Sequence, residues 1–378
     1  MKRQQYRAHL PEAILRGKYR GDLYGFHHED TGRFNVTGGD HSSGFPVTPG
    51  AVYLGSIGDT ECAQAGEQDL DDTPHLVGIH TDVGLQLWYR GESVEIQPYS
   101  LVQDILSRNT GILETKHMLN ARAIISGVGS VGSLVALELA RAGVGHFVLV
   151  DNDILEYHNL CRHQCGISDV GRYKVDAVRD RILAINPSAK VTVFRGILER
   201  APRELFDREA PAITNTVVVG CADNREGDLW ASQIAEYLGA GFVSIGFWER
   251  AAAGEIFYWT PQSDANYEDL VTGIGSELSN RVSTNRRHYT TEEDLAKVNF
   301  EPGISLDITF VTVVGLKVIV DLLNQGNPEY TTRVIDSLKQ FTLVCNTNKI
   351  EVGGDLVDIF TEPLQVTRSI VVVARRPE

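Results

Sequence analysis

From residue 121 onward, short apolar runs alternate with longer stretches whose apolar positions recur every three to four residues. The runs at 123–126, 146–150, 191–194, 216–220 and 242–246 are rich in Val, Ile and Phe. Runs this short and continuous fit strands buried on both faces. Between them, 132–142 reads as a helix ended by Gly143, 172–185 as a helix stopped by Asn186-Pro187, and 227–238 as a third helix. Strand-helix alternation predicts an α/β fold, a mostly parallel sheet with helices on both faces. Residues 254–259 are expected to extend that sheet with an antiparallel strand.

The first hundred residues follow another pattern. They are rich in Gly, His and Asp and carry few helical periods. Residues 51–54, 76–80 and 85–89 read as short strands between turn residues, so a smaller β-containing N-terminal domain is expected over 1–100. Residues 100–120 look helical. Residues 261–302 are polar without a sustained period, which predicts a functional crossover loop or partial disorder. The longest apolar run, 306–323, is interrupted by Asp307, Lys317 and Asp321. It reads as a buried core helix rather than a membrane span. A tail with strands at 341–345 and 370–374 should return to the sheet.

Composition narrows the picture. The 378 residues suffice for a core-bearing domain over 101–378 plus the N-terminal domain. With 42% hydrophobic and 22% charged residues, wholesale disorder is excluded. Lys and Arg number 35 against 50 Asp and Glu, a net charge of −15. That balance argues against a broad phosphate-backbone surface and so against a nucleic-acid partner. Five cysteines at 62, 161, 165, 221 and 345 form no C-x-x-C pair and suggest no disulfide framework. The basic start MKRQQ lacks an apolar run, so a reducing, cytoplasmic setting is expected, without membrane association. The scattered histidines and Asp82 of the N-terminal part follow no metal-ligand spacing.

The chemistry concentrates after the first strand of the α/β part. Gly127-Val128-Gly129-Ser130-Val131-Gly132 is a G-x-G-x-x-G between strand and helix. The first glycine permits a tight turn, the second lets backbone approach a phosphate, and the third lets helix and strand pack closely. Alone this indicates a nucleotide, not a reaction. Asp151 ends the second strand, where a ribose-binding acid belongs, and a dehydrogenase would have it too. The residues that follow discriminate: Asn159, Arg162 and Lys174 supply donors and cations that a polyphosphate requires, while Asp153 reads as structural. Gly220-Cys221-Ala222-Asp223-Asn224 ends a further strand, so Asp223 falls at the carboxyl edge of the sheet, where a carboxylate can hold Mg²⁺.

Taken together these motifs resemble the ThiF/MoeB/E1-like adenylyltransferase family, in its bacterial type, over about 105 to 325. The matching pieces are Arg108-Asn109, the glycine motif, Asp151, Asp153, Leu160 and Arg162, then Gly171 to Lys174, Asn186-Pro187, Cys221 to Asn224, and Glu301-Pro302-Gly303-Ile304. The resemblance implies a Rossmann-like, E1-like adenylation domain. It implies that the C-terminal carboxylate of a ubiquitin-like protein or a peptide attacks the α-phosphate of Mg·ATP, releasing pyrophosphate. Carried over, the amides around Gly127, Gly129 and Gly132 would contact phosphates, and Asp151 the ribose. Asn159, Arg162 and Lys174 would hold phosphates, and Asp223 the Mg²⁺. Arg108 matches an arginine that reaches the partner protomer's site, which implies a homodimer with an arginine in trans.

The sequence also departs from that family. Many relatives hold zinc with two C-x-x-C pairs, and neither place has a cysteine here, so no zinc site is expected. The 261–302 segment lacks the cysteine that would take a thioester. Cys161 and Cys165 are the possible reactive thiols, because Arg162 and Lys174 nearby would lower a thiol pKa. Unreactive packing is the favoured reading of both. The alternatives are a peptide-modifying adenylyltransferase of the microcin-maturation type and a catalytically silent dimeric scaffold.

Overall fold

Why the central strands read as unbroken apolar runs is plain in the computed structural model: strands β8 (Arg122–Ser126) and β11 (Thr216–Gly220) are buried along their whole length. The structure describes residues 5–39, 47–58, 75–100, 104–206, 215–222, 225–273, 303–370 and 372–373. It divides into two units, Met1–Thr110 with Leu183–Ser188, and Gly111–Ile182 with Ala189–Glu378. Asp223, Cys62 and most of the expected crossover loop, 274–302, lie outside the described residues.

In the first unit, strands β1 (Arg7–Pro11), β2 (Gly21–His28), β3 (Arg33–Gly39), β4 (Val52–Gly58), β5 (Leu76–Thr81), β6 (Gly84–Tyr89) and β7 (Glu92–Tyr99) close into a barrel in the order β1-β3-β2-β4-β5-β6-β7. Each strand turns alternate residues inward. Leu10, Leu23, Phe34, Val36, Ile57 and Leu87 fill the core, joined by Ile14 of helix α1 (Glu12–Arg16). Closure leaves the strands no unpaired edge. The barrel contains β1, β2, β3 and β7 beyond the three strands read from sequence, because their outward faces are Gly, His and charged residues that mask the apolar alternation.

The second unit holds an eight-stranded sheet, ordered β10-β9-β8-β11-β12-β13-β14-β15. Strands β9 (His146–Val150), β10 (Lys190–Phe194) and β12 (Gly241–Phe247) run parallel with β8 and β11. Strands β13 (Ala253–Trp259), β14 (Phe341–Cys345) and β15 (Gln365–Ile370) add antiparallel. Strand order reverses between β8 and β11, the position where ligands bind in open α/β sheets.

Helices α3 (Ser130–Arg141), α4 (Lys174–Ile185), α5 (Arg225–Leu238) and α7 (Ser305–Leu323) accompany the sheet. Helix α7 packs on α3, β12 and β13. Gly315 lets it approach, since a Cβ there would lie 2.5 Å from Ile245. Its buried Asp321 carboxylate accepts Tyr330 Oη–H at 2.6 Å and the N–H groups of Val334 and Ile335 at 2.7 and 3.0 Å. No helix among the described residues is long and apolar enough to cross a membrane.

Four expectations need correction. The 100–120 segment is not one helix: it holds a 3-10 turn at Ser107–Asn109 and helix α2 (Thr115–Leu119), separated by Gly111 at φ +80°. Among the described residues the last strand is Gln365–Ile370, and 372–373 of the expected 370–374 strand lie outside any strand. Tyr267–Gly273, within the segment read as loop, forms helix α6 and buries Tyr267 and Leu270. The long apolar helix is buried on one face only: Ile304 just before it and Leu306 in its first turn are 60% and 77% exposed.

Candidate active site

The glycine loop joins β8 to α3, and its three glycines do three different jobs. Gly127 sits at φ +85°, and a Cβ there would lie 2.7 Å from Cys221 O. A Cβ at Gly132 would lie 1.9 Å from Gly127 O, so the first turn of α3 packs directly on the loop. A Cβ at Gly129 would meet nothing within 4 Å. Gly129 is also the N-cap of α3 and supplies no side-chain acceptor. The amides opening the helix therefore have no side-chain cap, and Gly129 leaves room beside them for an anion.

Beside the loop, at the ends of β9 and β10, lies a cavity of about 210 Å³ lined by Gly127, Gly129, Asp151, Asp153, Lys174 and Leu198, among others. Of the sequence candidates it gathers Gly127, Gly129, Asp151 and Lys174. Asp151 uses both carboxylate oxygens on backbone: Oδ2 accepts from Val128 N–H at 2.6 Å and Oδ1 from Asp153 N–H at 2.7 Å. Burial pushes its carboxyl above the usual range, while these amides and Lys174 pull the other way. Each oxygen keeps a lone pair for another donor. Lys174 opens α4, and its Nζ donates to Asp153 Oδ2 at 2.8 Å. The lysine side chain is 10% exposed and the aspartate 59%, so Asp153 is the solvated counter-ion of an enclosed cation.

The other candidates sit elsewhere. Asn159 Oδ1 accepts from Glu156 N–H at 2.9 Å, capping the 3-10 turn Tyr157–Asn159. Arg162 is half-buried, and its Nη1 would lie 3.8 Å from a Cβ at Gly303, just before α7. Arg108 is exposed and belongs to the other unit, in the turn Ser107–Asn109. Asp223 is outside the described residues, and Cys221-Ala222 before it follow β11 directly. Cys161 is exposed, with its thiol donating to His158 O at 3.3 Å. Cys165 is buried, and burial pushes its thiol up to about 12, opposite to the lowering expected from nearby cations.

Two residues escaped the sequence reading. Asp228 on α5 is fully buried and accepts from Ser244 Oγ–H at 2.7 Å and Ala222 N–H at 3.3 Å, so it anchors the residues leading to 223. His163 is 7% exposed and bonds the carbonyl of Val128. Their only sequence signal was closeness to the motifs, which does not reveal burial. Further along the sheet, Glu255 receives Arg225 Nη2 at 2.8 Å and Trp248 Nε1–H at 3.1 Å, a buried ion pair with a third donor.

Comparison with known proteins adds context. The ThiF family matches residues 102–343. A probable adenylyltransferase/sulfurtransferase MoeZ of Mycobacterium tuberculosis is 30% identical over 182 residues, 48% of this chain and 42% of that protein. Ubiquitin-like modifier-activating enzyme 5 of Caenorhabditis elegans is 27% identical over 183 residues, covering 46% of this chain and 43% of the relative. The adenylyltransferase and sulfurtransferase uba4 of Aspergillus clavatus is 36% identical over 128 residues, 33% of this chain and 25% of its own. The chain thus spans less than half the length of these relatives. A solved structure of Escherichia coli MccB with ATP overlays 69% of this chain and 68% of its own, at 19% identity and a TM-score of 0.46.

Proposed function

The chain belongs to the ThiF family, and from that premise we propose that it is an ATP-dependent adenylyltransferase acting on the C-terminal carboxylate of a ubiquitin-like protein. The observation that carries this reading is one cavity holding the open side of Gly129, the Asp151 carboxylate and the enclosed Lys174 cation. These groups fit a nucleoside phosphate: amides and an ammonium for the phosphates, a carboxylate for ribose hydroxyls. When bound, ATP supplies an α-phosphorus for the carboxylate oxygen to attack, with its bond to the β-phosphate breaking and pyrophosphate leaving.

This chain's residues contribute orientation and charge neutralisation. The loop amides and Lys174 draw negative charge to the mouth of the β8/β11 crevice. Asp153 solvates Lys174 until a phosphate replaces it. Asp151 stiffens the loop through Val128 N–H. We assign Asn159 and Arg162 to the outer phosphates and Asp223 to Mg²⁺. Arg108 is assigned to the partner site of a homodimer. The barrel unit is assigned to acceptor recognition, and the reaction to the cytoplasm. Burial pushes the Cys165 thiol up to about 12, which makes Cys165 a poor thioester acceptor at neutral pH.

ATP–pyrophosphate exchange with candidate acceptors tests the proposal. Exchange that depends on the acceptor's terminal carboxylate and is lost in Lys174→Ala is expected. Absence of exchange together with absence of ATP binding refutes it and leaves the silent scaffold. Exchange supported by a short peptide alone turns the assignment to a peptide-modifying enzyme.

A further inference from the structure

The centre of the glycine loop is held from two sides by side chains. Val128 is fully buried between two glycines. Glycine leaves the backbone permissive, so Gly127 and Gly129 do not by themselves fix how the intervening peptide planes point. Two hydrogen bonds do. Val128 N–H donates to Asp151 Oδ2 at 2.6 Å, and Val128 C=O accepts from His163 Nε2 at 2.9 Å. The first partner carries a motif position, that of the ribose acid. No motif assigns the second.

The His163 ring has its protonation set by geometry. Nδ1 lies 3.1 Å from Cys165 N, which can only donate, and Nε2 faces a carbonyl, which can only accept. The imidazole is therefore neutral with its proton on Nε2. The same short segment is fastened outward. Gln164 N–H reaches Ser133 Oγ on α3 at 3.4 Å. Gly166 N–H reaches Asp169 Oδ2 at 3.1 Å, and Asp169 also pairs with Arg181 of α4 at 2.9 Å. Helix α4 begins at Lys174. One continuous set of bonds thus runs from the glycine loop to the helix that presents the cavity cation.

We infer that His163 is a positioning residue for nucleotide binding, holding the Val128 peptide so that the amides at the start of α3 and the Lys174 cation bear a fixed relation to one another. The inference rests on the ATP reading above. Without the Nε2–H donor, Val128 C=O is buried and unpaired, and the peptide between Val128 and Gly129 turns to find another partner. That turn re-aims Gly129 N–H, the amide of a residue that lines the cavity.

The test uses the full chain and its His163→Phe and His163→Gln forms. Phenylalanine fills the ring volume without a donor. Glutamine can donate to Val128 O and accept from Cys165 N–H. ATP and adenosine affinities are measured by titration calorimetry, with amide exchange read over 127–130 and Lys174→Ala as the binding reference. The expected result is that His163→Phe binds ATP about tenfold more weakly, about 1.4 kcal/mol, with adenosine affinity unchanged and faster exchange at Val128 and Gly129. His163→Gln should recover most of the ATP affinity. Equal ATP affinity in the folded Phe form, or equal losses for ATP and adenosine, overturns the inference. Wild-type protein supplies a check that needs no variant: long-range nitrogen–proton spectra of the imidazole should show the Nε2–H tautomer, and an Nδ1–H tautomer overturns it. Failure of wild type to bind ATP instead refutes the adenylation reading, a distinguishable outcome.

Discussion

Alanine at Gly129 and alanine at Gly132 should give two separable phenotypes. At Gly132 the new Cβ would start 1.9 Å from Gly127 O and needs about 3.4 Å for ordinary contact, so α3 must back away by about 1.5 Å. The obstacle is a backbone carbonyl, which no rotamer change relieves. Overpacking of this kind costs about 1–3 kcal/mol, and the rigid neighbour places Gly132→Ala near the upper figure. For a unit of this size that is a fall of roughly 6–12 °C in Tm. At Gly129 the Cβ meets nothing within 4 Å and φ is −78°, so alanine fits. Its stability change should stay within about 1 kcal/mol, a weaker N-cap offset by a stiffer unfolded chain. Its methyl group, however, stands where a phosphate must approach, and ATP affinity should drop at least about tenfold. Differential scanning fluorimetry and ATP titration calorimetry on both variants decide the matter. Gly129→Ala binding ATP as wild type does would refute the claim that the loop amides meet phosphate. Gly132→Ala with an unchanged Tm would refute the close packing of α3 on the loop.

Other outcomes follow from the same geometry. Glu255→Ala removes the buried carboxylate that pairs with Arg225 and accepts from Trp248 Nε1–H, so the sheet unit should lose about 3–5 kcal/mol in urea denaturation; a loss under about 1 kcal/mol would show that the pair is solvated. Burial lowers the pKa of His163 from 6.5, with Lys174 adding to the effect and Asp169 opposing it. The unfolded state then binds the proton more readily, so this stability is present above pH 6.5 and lost as pH falls below it. Denaturation between pH 7.5 and 5.5 should show that slope and His163→Gln should flatten it; an unchanged slope counts against the assignment. Among the described cysteines, native alkylation at pH 8 followed by mass spectrometry should label exposed Cys161 and spare Cys165 and Cys345, whose thiols burial pushes up to about 12 and about 11. Rapid labelling of Cys165 would show that its segment opens.

Legibility in the sequence followed burial. Strands β8, β9, β11 and β12 were readable because both faces are covered, so each is a plain apolar run that needs no period. The glycine loop was readable because close backbone contacts at Gly127 and Gly132 leave no room for a side chain. The barrel was largely unreadable. In β2, Gly21–His28, only Leu23 and Gly25 are buried, and the core-facing positions include a histidine, His27, stacked on Phe34, so no apolar run marks the strand. Its closure depends on β1 pairing with β7, Arg7 opposite Glu95, which no local pattern announces.

By itself the sequence determined the strand–turn–helix order of the nucleotide-binding part and the residue types at its motifs, Gly127, Gly129, Gly132, Asp151 and Lys174 among them. The ThiF family match over 102–343 agrees with the family resemblance read from those motifs. Tertiary structure alone decided the pairings: Lys174 with Asp153, His163 with Val128, and Asp228 with Ser244. It also decided the direction of the Cys165 thiol, upward where neighbouring cations suggested downward. The physical reason is desolvation. Whether a polar group is a solvated surface residue, a ligand or a structural clamp depends on which distant segments remove its water and which donors or acceptors they bring in exchange.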